Sequence, residues 1–387
     1  MVESTKFSGC ILANLPAHES FVHGRRGSFR TKLLAWYREH ARDLPWRKTH
    51  DAYRVWISEV MLQQTQVATV VPYFDRFLIA FPSIADLAAA PEDQVLRLWE
   101  GLGYYRRARQ LHRAARLIAE VHNGEFPRNP DDVRRLPGIG RYTAGAILSI
   151  AFGAAEPILE ANTVRLLARL LALRDDPTSG PSQKILWRAA ADLLPRENIG
   201  AFNQALMELG SQVCVPREPR CPACPVAALC PTRKLGLQKV IPATPPKPPI
   251  EDVKEAAIVV HRRGRLLLRR RQATERWAGM WDFPRFAIGQ PSLAAEGNMA
   301  LSQQVRELTG LSIGPVEHLT TIRHGVTRFR ITLDCYLATA AGRCSAPDGA
   351  EIAWTSPGEL DEYAMSVTGR KLGGIVATRG LGKKVKG

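Results

Sequence analysis

The chain has 387 residues, 45% of them hydrophobic, with a formal net charge of +16 and a pI near 9.9. Length and apolar content suffice for two or more domains with cores of their own. No apolar run approaches the ~18 residues of a membrane-spanning helix and no signal peptide opens the chain, so a cytoplasmic protein without a membrane partner is expected. The basic excess points instead to a polyanion, above all nucleic acid.

Residues 1–27 read as a flexible arm. From Phe29 to about Gly210 apolar residues recur at three-and-four spacing, which predicts helices over Phe29–His40, Tyr53–Gln66, Ala68–Ala80, Asp93–Trp99, Tyr104–Val121 and Glu197–Leu209. Shorter helices are predicted from Asp131, from Arg141 and over Thr163–Ala172, with turns at Pro45, Pro82, Pro91 and Pro127. This all-α unit spans 28–239. A proline-rich linker follows over 240–252. Strand-like runs at Ala256–Val260, Arg265–Arg269 and Arg328–Leu337, with a helix over Met299–Leu308, make 253–370 an α+β domain. A basic tail, 371–387, is expected to be disordered.

Glu59 is the one acid in Tyr53–Gln66, surrounded by Val55, Trp56, Ile57, Val60, Met61 and Leu62. It is either a Glu on the outer face of an amphipathic helix or a buried carboxyl whose pKa rises until it can donate a proton. Gln63, Gln64, Thr65 and Gln66 close the helix with groups that suit base edges or a cap. Gly101-Leu-Gly-Tyr-Tyr-Arg-Arg107 is an exposed-looking set: glycines for close approach, Leu102, Tyr104 and Tyr105 for wedging or stacking, arginines for phosphate. Core packing accounts for the tyrosines equally well.

Leu136-Pro-Gly-Ile-Gly-Arg-Tyr-Thr-Ala144 reads as a tight turn between two helices. Gly138 and Gly140 leave backbone N–H groups converging at a helix N-terminus, which suits a phosphate as well as an ordinary turn. Glu160 and Asn162 lie in the loop ahead of the next helix, where Asn162 or Thr163 also suits an N-cap.

Cys214, Cys221, Cys224 and Cys230 crowd into one short run, spaced C-x6-C-x2-C-x5-C. In a cytosolic chain such density means metal rather than disulfides. Zinc sites usually take two separated C-x2-C knuckles, whereas this run fits four thiolates around one 4Fe–4S cluster. Arg217, Arg220, Arg233 and Lys234 beside it suggest a loop stiffened to face phosphate. Cys10, Cys335 and Cys344 are scattered and read as reduced thiols.

Taken in order, Leu44-Pro-Trp-Arg47, Ser58-Glu-Val-Met-Leu-Gln-Gln-Thr-Gln-Val67, Gly101-Leu-Gly-Tyr-Tyr105, Leu136 to Gly145, Phe202-Asn-Gln-Ala-Leu206 and the four cysteines resemble adenine-DNA glycosylases of the MutY type. These belong to the helix-hairpin-helix base-excision superfamily. The likeness is strong from about Phe29 to Pro231, and Trp277-Ala-Gly-Met-Trp-Asp-Phe-Pro284 extends it to a Nudix-like C-terminal domain. The resemblance implies excision of adenine mispaired with 8-oxoguanine or guanine in double-stranded DNA; a monomer is expected. The nucleotide would be swung out of the stack, with Gln64, Thr65, Leu102 and Tyr104 filling or flanking the vacated space. Glu59 would protonate adenine at N7; Trp46, Arg47 and Gln204 would line the base pocket; Tyr142 and Asn162 would support the centre.

Glu160 stands where the family carries aspartate, and Ala161 where it carries glycine. The resemblance makes Glu160 the carboxylate that stabilises oxocarbenium-like charge on the sugar, set back by one methylene. Ile322-Arg323-His324 stands for the family's Phe-Ser-His lesion-reading loop, keeping only His324. Tyr142 occupies the position where strand-cutting relatives such as endonuclease III place a Schiff-base lysine, so a monofunctional enzyme is expected. Arg306-Glu-Leu-Thr-Gly310 lacks the paired glutamates of a Nudix metal site. Two other readings stand beside this one. An endonuclease III-like lyase is opposed by Tyr142 and the extra domain; a lesion-binding protein without catalysis is kept open by Glu160.

Overall fold

The computed structural model describes residues 15–244, 248–289, 294–342 and 345–379. The chain forms two compact units, Met1–Ala88 with Arg113–Pro246 and Ala89–His112 with Lys247–Gly387. The helices are α1 (Leu15–His40), α2 (Ala52–Leu62), α3 (Val67–Ala80), α4 (Ile84–Ala89), α5 (Glu92–Leu98), α6 (Arg106–Val121), α7 (Pro130–Arg135), α8 (Arg141–Phe152), α9 (Ala161–Leu170), α10 (Gly180–Leu193), α11 (Ile199–Gln212) and the one-turn α12 (Pro231–Lys234).

In the helical unit, α2 and α8 are apolar on nearly every face, so both are central: Tyr53 and Val55–Met61 in α2 and Thr143–Ile150 in α8 are buried. Asp51 caps α2 by accepting from the Tyr53 N–H at 2.8 Å. The turn between α7 and α8 is the hairpin the sequence led us to expect. Asn129 caps α7, and Gly138 sits at φ +79°, a left-handed conformation that a side chain would strain; Gly140 is the N-cap of α8. A second core joins Phe29 and Leu33 of α1, Leu166, Leu167 and Leu170 of α9, Leu186 of α10 and Phe202, Leu206 and Leu209 of α11.

The second unit holds a mixed eight-stranded sheet. Its strands are β1 (Glu251–Arg262), β2 (Arg265–Arg270), β3 (Trp281–Asp282), β4 (Arg285–Ala287), β5 (Ser312–Ile313), β6 (Glu317–Val326), β7 (Phe329–Ala341) and β8 (Ile352–Thr355), with helices α13 (Ala294–Thr309) and α14 (Val367–Thr378). β1 and β7 run parallel, in register from Glu251 against Phe329 to His261 against Thr339, while the other pairings are antiparallel. Alternation along β1 sends Ala257 and Val259 into one core and Ala256, Ile258 and Val260 into another.

Three expectations are corrected. The arm over 1–27 is helical from Leu15 onward, its first fourteen residues lying outside the described ones. The tail over 371–387, expected to be disordered, is helix through Thr378, because Leu372 and Val376, four residues apart, bury in the core of the unit. Residues 89–112 group with the second unit rather than the first. Ion pairs invisible in the sequence hold them there: Arg370 reaches Glu100 at 2.8 Å and Arg270 reaches Asp93 at 2.7 Å.

Candidate active site

Six segments of the helical unit line one cavity of about 470 Å³. Trp46 and Arg47 come from the turn before α2, Glu59 from α2, Gln64 and Thr65 from the turn after it, Tyr142 from α8, Glu160 and Asn162 from the start of α9, and Gln204, Met207 and Glu208 from α11. Glu59 is buried, 5% exposed. Of its two sequence readings, the buried carboxyl is the one the fold adopts. Tyr142 Oη donates to Glu59 Oε2 at 2.6 Å and lies 3.2 Å from Met207 Sδ.

Burial raises the Glu59 pKa to about 7; the Tyr142 hydrogen bond and Arg47 pull it down, while Glu160 pushes it up. A carboxyl with that value is present as both acid and base at neutral pH. Burial also pushes the Tyr142 phenol up, with Glu59 and Glu160 adding to it, so Tyr142 stays neutral. Burial raises Glu160 above the usual carboxylate range, against the backbone N–H groups of Asn162 and Thr163 and the charge of Arg165, which oppose it. The rate of any reaction that needs Glu59 protonated and Glu160 ionised follows from these directions. We expect single-turnover rates to fall about tenfold per pH unit above about 7 as Glu59 loses its proton, and to fall again in acid as Glu160 gains one. A rate that keeps rising above pH 8 removes Glu59 as the proton donor.

Glu160, not Asn162 or Thr163, is the N-cap of α9. Its Oε1 accepts from the Thr163 N–H at 2.9 Å, and its Oε2 from the Asn162 N–H at 2.9 Å and the Asn162 side-chain amide at 3.1 Å. The Thr163 hydroxyl in turn accepts from the Glu160 N–H at 2.7 Å, completing a capping box. Asn162 is itself held, its Oδ1 accepting from Arg165 Nη2 at 2.8 Å; the same nitrogen donates to the Gly210 carbonyl. Gly210 lets α11 approach this loop: a Cβ there would lie 2.8 Å from Asn162 Cβ and 2.9 Å from the Asn162 carbonyl oxygen. Gly210→Ala is therefore expected to cost about 1–3 kcal/mol of stability. It should also displace Asn162 and Glu160 enough to slow turnover by about a hundredfold. Thermal melts and single-turnover rates on the same preparation check both.

Several residues in or beside the cavity, Arg42, Met207, Glu208, Ser211 and Tyr37, are not marked by the sequence. Glu208, fully buried, accepts from Arg42 Nη2 at 2.7 Å and from Arg47 Nη2 at 2.8 Å. Burial opposes its ionisation, but hydrogen bonds from Arg42 and Arg47 outweigh that and hold its pKa down to about 2. Tyr37 Oη donates to Gln204 Oε1 at 3.2 Å, and the Arg47 guanidinium lies 5.5 Å from the centre of the Tyr37 ring. The signal available was the spacing of Gln204, Glu208 and Ser211, one stripe of α11 facing the cavity.

The cavity does not include Leu102, Tyr104 or His324, which belong to the second unit. The exposure expected of the Gly101–Arg107 set is corrected in part. Leu102 and Tyr105 are buried at 5% and 6%, so of the three apolar or aromatic side chains only Tyr104, 48% exposed at φ +48°, projects, beside the exposed Arg106. Tyr104 lines a groove of about 690 Å³ in the second unit together with Trp277, His324, Val326 and Phe329. His324 Nε2 lies 3.4 Å from Arg285 Nη2, and a guanidinium can only donate, so Nε2 is the acceptor. Burial, then Arg285, lowers the His324 pKa and keeps the ring neutral.

The four cysteines of the short run line a further cavity with Arg169, Leu166, Leu170 and Val226. Among the described residues no three His, Cys, Asp or Glu side chains are drawn into the geometry of a single ion. All four thiols are half-buried and none is in a disulfide, and neither a carboxylate nor an imidazole lines the space. A donor set of thiols alone fits a thiolate-ligated metal group.

A buried acid on α2 sharing one cavity with a second carboxyl at the start of α9, in a helical unit that also carries a glycine-turned hairpin between α7 and α8, defines a class. Residues 57–191 match the HhH-GPD superfamily base excision DNA repair protein description, and residues 255–372 match the NUDIX domain. A thermostable thymine-DNA glycosylase structure superposes with a TM-score of 0.50 at 29% identity, covering 55% of this chain and 98% of that one. Within the class, the adenine DNA glycosylase of Rattus norvegicus is 35% identical over 399 residues, 89% of this chain and 77% of its own. That of Homo sapiens is 35% identical over 403 residues, 89% and 73%. That of Schizosaccharomyces pombe is 31% identical over 410 residues, 89% and 88%. The chain belongs to the adenine DNA glycosylase family.

Proposed function

We propose that this enzyme hydrolyses the N-glycosidic bond of adenine paired with 8-oxoguanine or guanine in double-stranded DNA, leaving an abasic site. The observation that carries this is the meeting of Glu59 and Glu160 in one cavity, with the first tuned to about 7 and the second pinned by three hydrogen bonds. An extruded adenine would take the proton of Glu59 at N7, which makes the base a leaving group. The C1′–N9 bond breaks with its electron pair going to adenine, and Glu160 faces the positive charge left on the sugar. Water then adds at C1′ and gives up a proton, which returns to the Glu59 carboxylate. Trp46, Arg47 and Gln204 surround the base, and the Arg42–Glu208–Arg47 cluster keeps Arg47 from swinging away.

Tyr142 supports a monofunctional reaction: a neutral phenol hydrogen-bonded to Glu59 cannot form a Schiff base with the sugar. Gln64, Thr65, Leu102 and Tyr104 would contact the opened duplex, Gly138 and Gly140 a phosphate, and His324 the base opposite adenine. The four cysteines would hold a 4Fe–4S cluster, which when bound supplies thiolate cross-links that stiffen the loop bearing Arg217, Arg220, Arg233 and Lys234. A single-turnover assay on duplexes carrying adenine opposite 8-oxoguanine, guanine or thymine tests the reading. Base release opposite the first two, with strand cleavage only after alkali, is expected. Strand cleavage without alkali would favour an endonuclease III-like lyase, and tight binding with no release a lesion-binding protein.

A further inference from the structure

Arg169 is 2% exposed and carries no ion pair with a carboxylate among the described residues. Every hydrogen bond its guanidinium donates goes to the cysteine run or the segment after it. Nε reaches the Ile241 carbonyl at 2.8 Å, Nη1 the Val215 carbonyl at 2.8 Å and Cys214 Sγ at 3.3 Å, and Nη2 the Pro216 and Gln238 carbonyls at 3.0 and 3.2 Å. Its own carbonyl accepts from the Thr232 hydroxyl, so the loop is stitched to Arg169 from both sides. The guanidinium also lines the cavity of the four thiols. One turn earlier on α9, Arg165 donates to the Cys214 carbonyl at 2.7 Å.

A buried cation satisfied only by carbonyl dipoles is among the costliest groups a fold can contain, unless a negative charge faces it. Two disulfides would be neutral and leave that charge unmatched. Four thiolates around a metal group carry net negative charge. We propose that Arg169 is the fixed counter-charge of the thiolate-ligated group: its N–H bond to Cys214 Sγ holds that ligand, retains the metal and makes the group easier to reduce. The carbonyl bonds serve a second end, gathering the 214–241 segment so that the ligands are preset. The inference rests on the metal-group reading of the cysteines given above.

The test uses the full-length metal-loaded protein with Arg169→Met, which keeps bulk and loses the charge, and Arg169→Lys, which keeps the charge and loses the fork. Metal loss to a strong chelator should be roughly 10–100-fold faster in Arg169→Met, the range usual for removal of a partner behind a ligand. It should be intermediate in Arg169→Lys. Reduction of an iron–sulfur cluster in Arg169→Met should be less favourable by about tenfold, which is ~59 mV for one electron; a purely architectural arginine would not move that potential. If Arg169→Met does not fold, Arg169→Lys carries both measurements, with smaller shifts in the same direction. Chelation rates within twofold of the parent, with an unchanged potential, overturn the proposal. Stoichiometric zinc in the parent would defeat the cluster reading alone: a zinc tetrathiolate is also anionic, and the chelation rates still decide the role of Arg169.

Discussion

Glu59→Gln is expected to abolish adenine release while leaving duplex binding largely intact. The amide keeps the shape of the side chain and still accepts from Tyr142, but it has no proton to give to N7. Loss of a general acid removes about 10²–10⁴ in rate, which puts single-turnover release at or below detection. The same variant carries a stability signature. Glu59 is raised from 4.5 to about 7, so its contribution to stability is fully present below pH 4.5 and is lost as pH rises through 7. Glu59→Gln does not titrate and should exceed the parent at pH 8, by up to about 3 kcal/mol, with the gap closing toward pH 4. Unchanged release at pH 7 would remove Glu59 from the mechanism, and parallel stability curves would mean its pKa is ordinary.

Glu160→Gln is expected to slow release by about a hundredfold or more, because removing a charge aimed at the transition state costs on that scale. Binding of an uncleaved duplex should change little. The amide loses part of the cap on α9, a loss of about 1 kcal/mol in thermal or urea unfolding. Glu160→Asp separates charge from reach. In this fold the longer side chain curls back onto the first N–H groups of its own helix, so the added methylene is taken up in the capping box. Aspartate is the stronger N-cap, and Glu160→Asp should match or exceed the parent in rate. A large loss would mean that the cavity is shaped around glutamate.

Glu59, Tyr142, Glu160, Asn162, Gln204 and the four cysteines were all legible before any coordinates, because each lies in a run whose spacing or motif marks it. The helices were legible for the same local reason: a period of three to four survives in the sequence wherever one face is buried. β6 was not, since Glu317, His318, Thr320, Thr321, Arg323 and His324 interrupt its apolar pattern. Glu208 escaped because an acid beside Gly210 in α11 looks like any surface acid until Arg42 and Arg47, more than 160 residues earlier, close on it. Leu102 was misread as exposed for a related reason: a glycine-flanked leucine has the same local pattern whether it wedges outward or packs inward.

By itself, the order of amino acids determined the candidate residues around Glu59, Tyr142 and Glu160, the helical hairpin with its Gly138 turn, the change of texture at the proline-rich linker and the thiol donor set. All of these depend on chemical identity and on contacts between near neighbours. Tertiary structure alone decided that Glu59 is buried and therefore half-protonated near neutrality, that Glu208 fixes Arg47, and that Arg169 faces the thiols without a carboxylate. Each of those depends on desolvation and on charges brought together from distant segments, and neither quantity exists until the chain has folded.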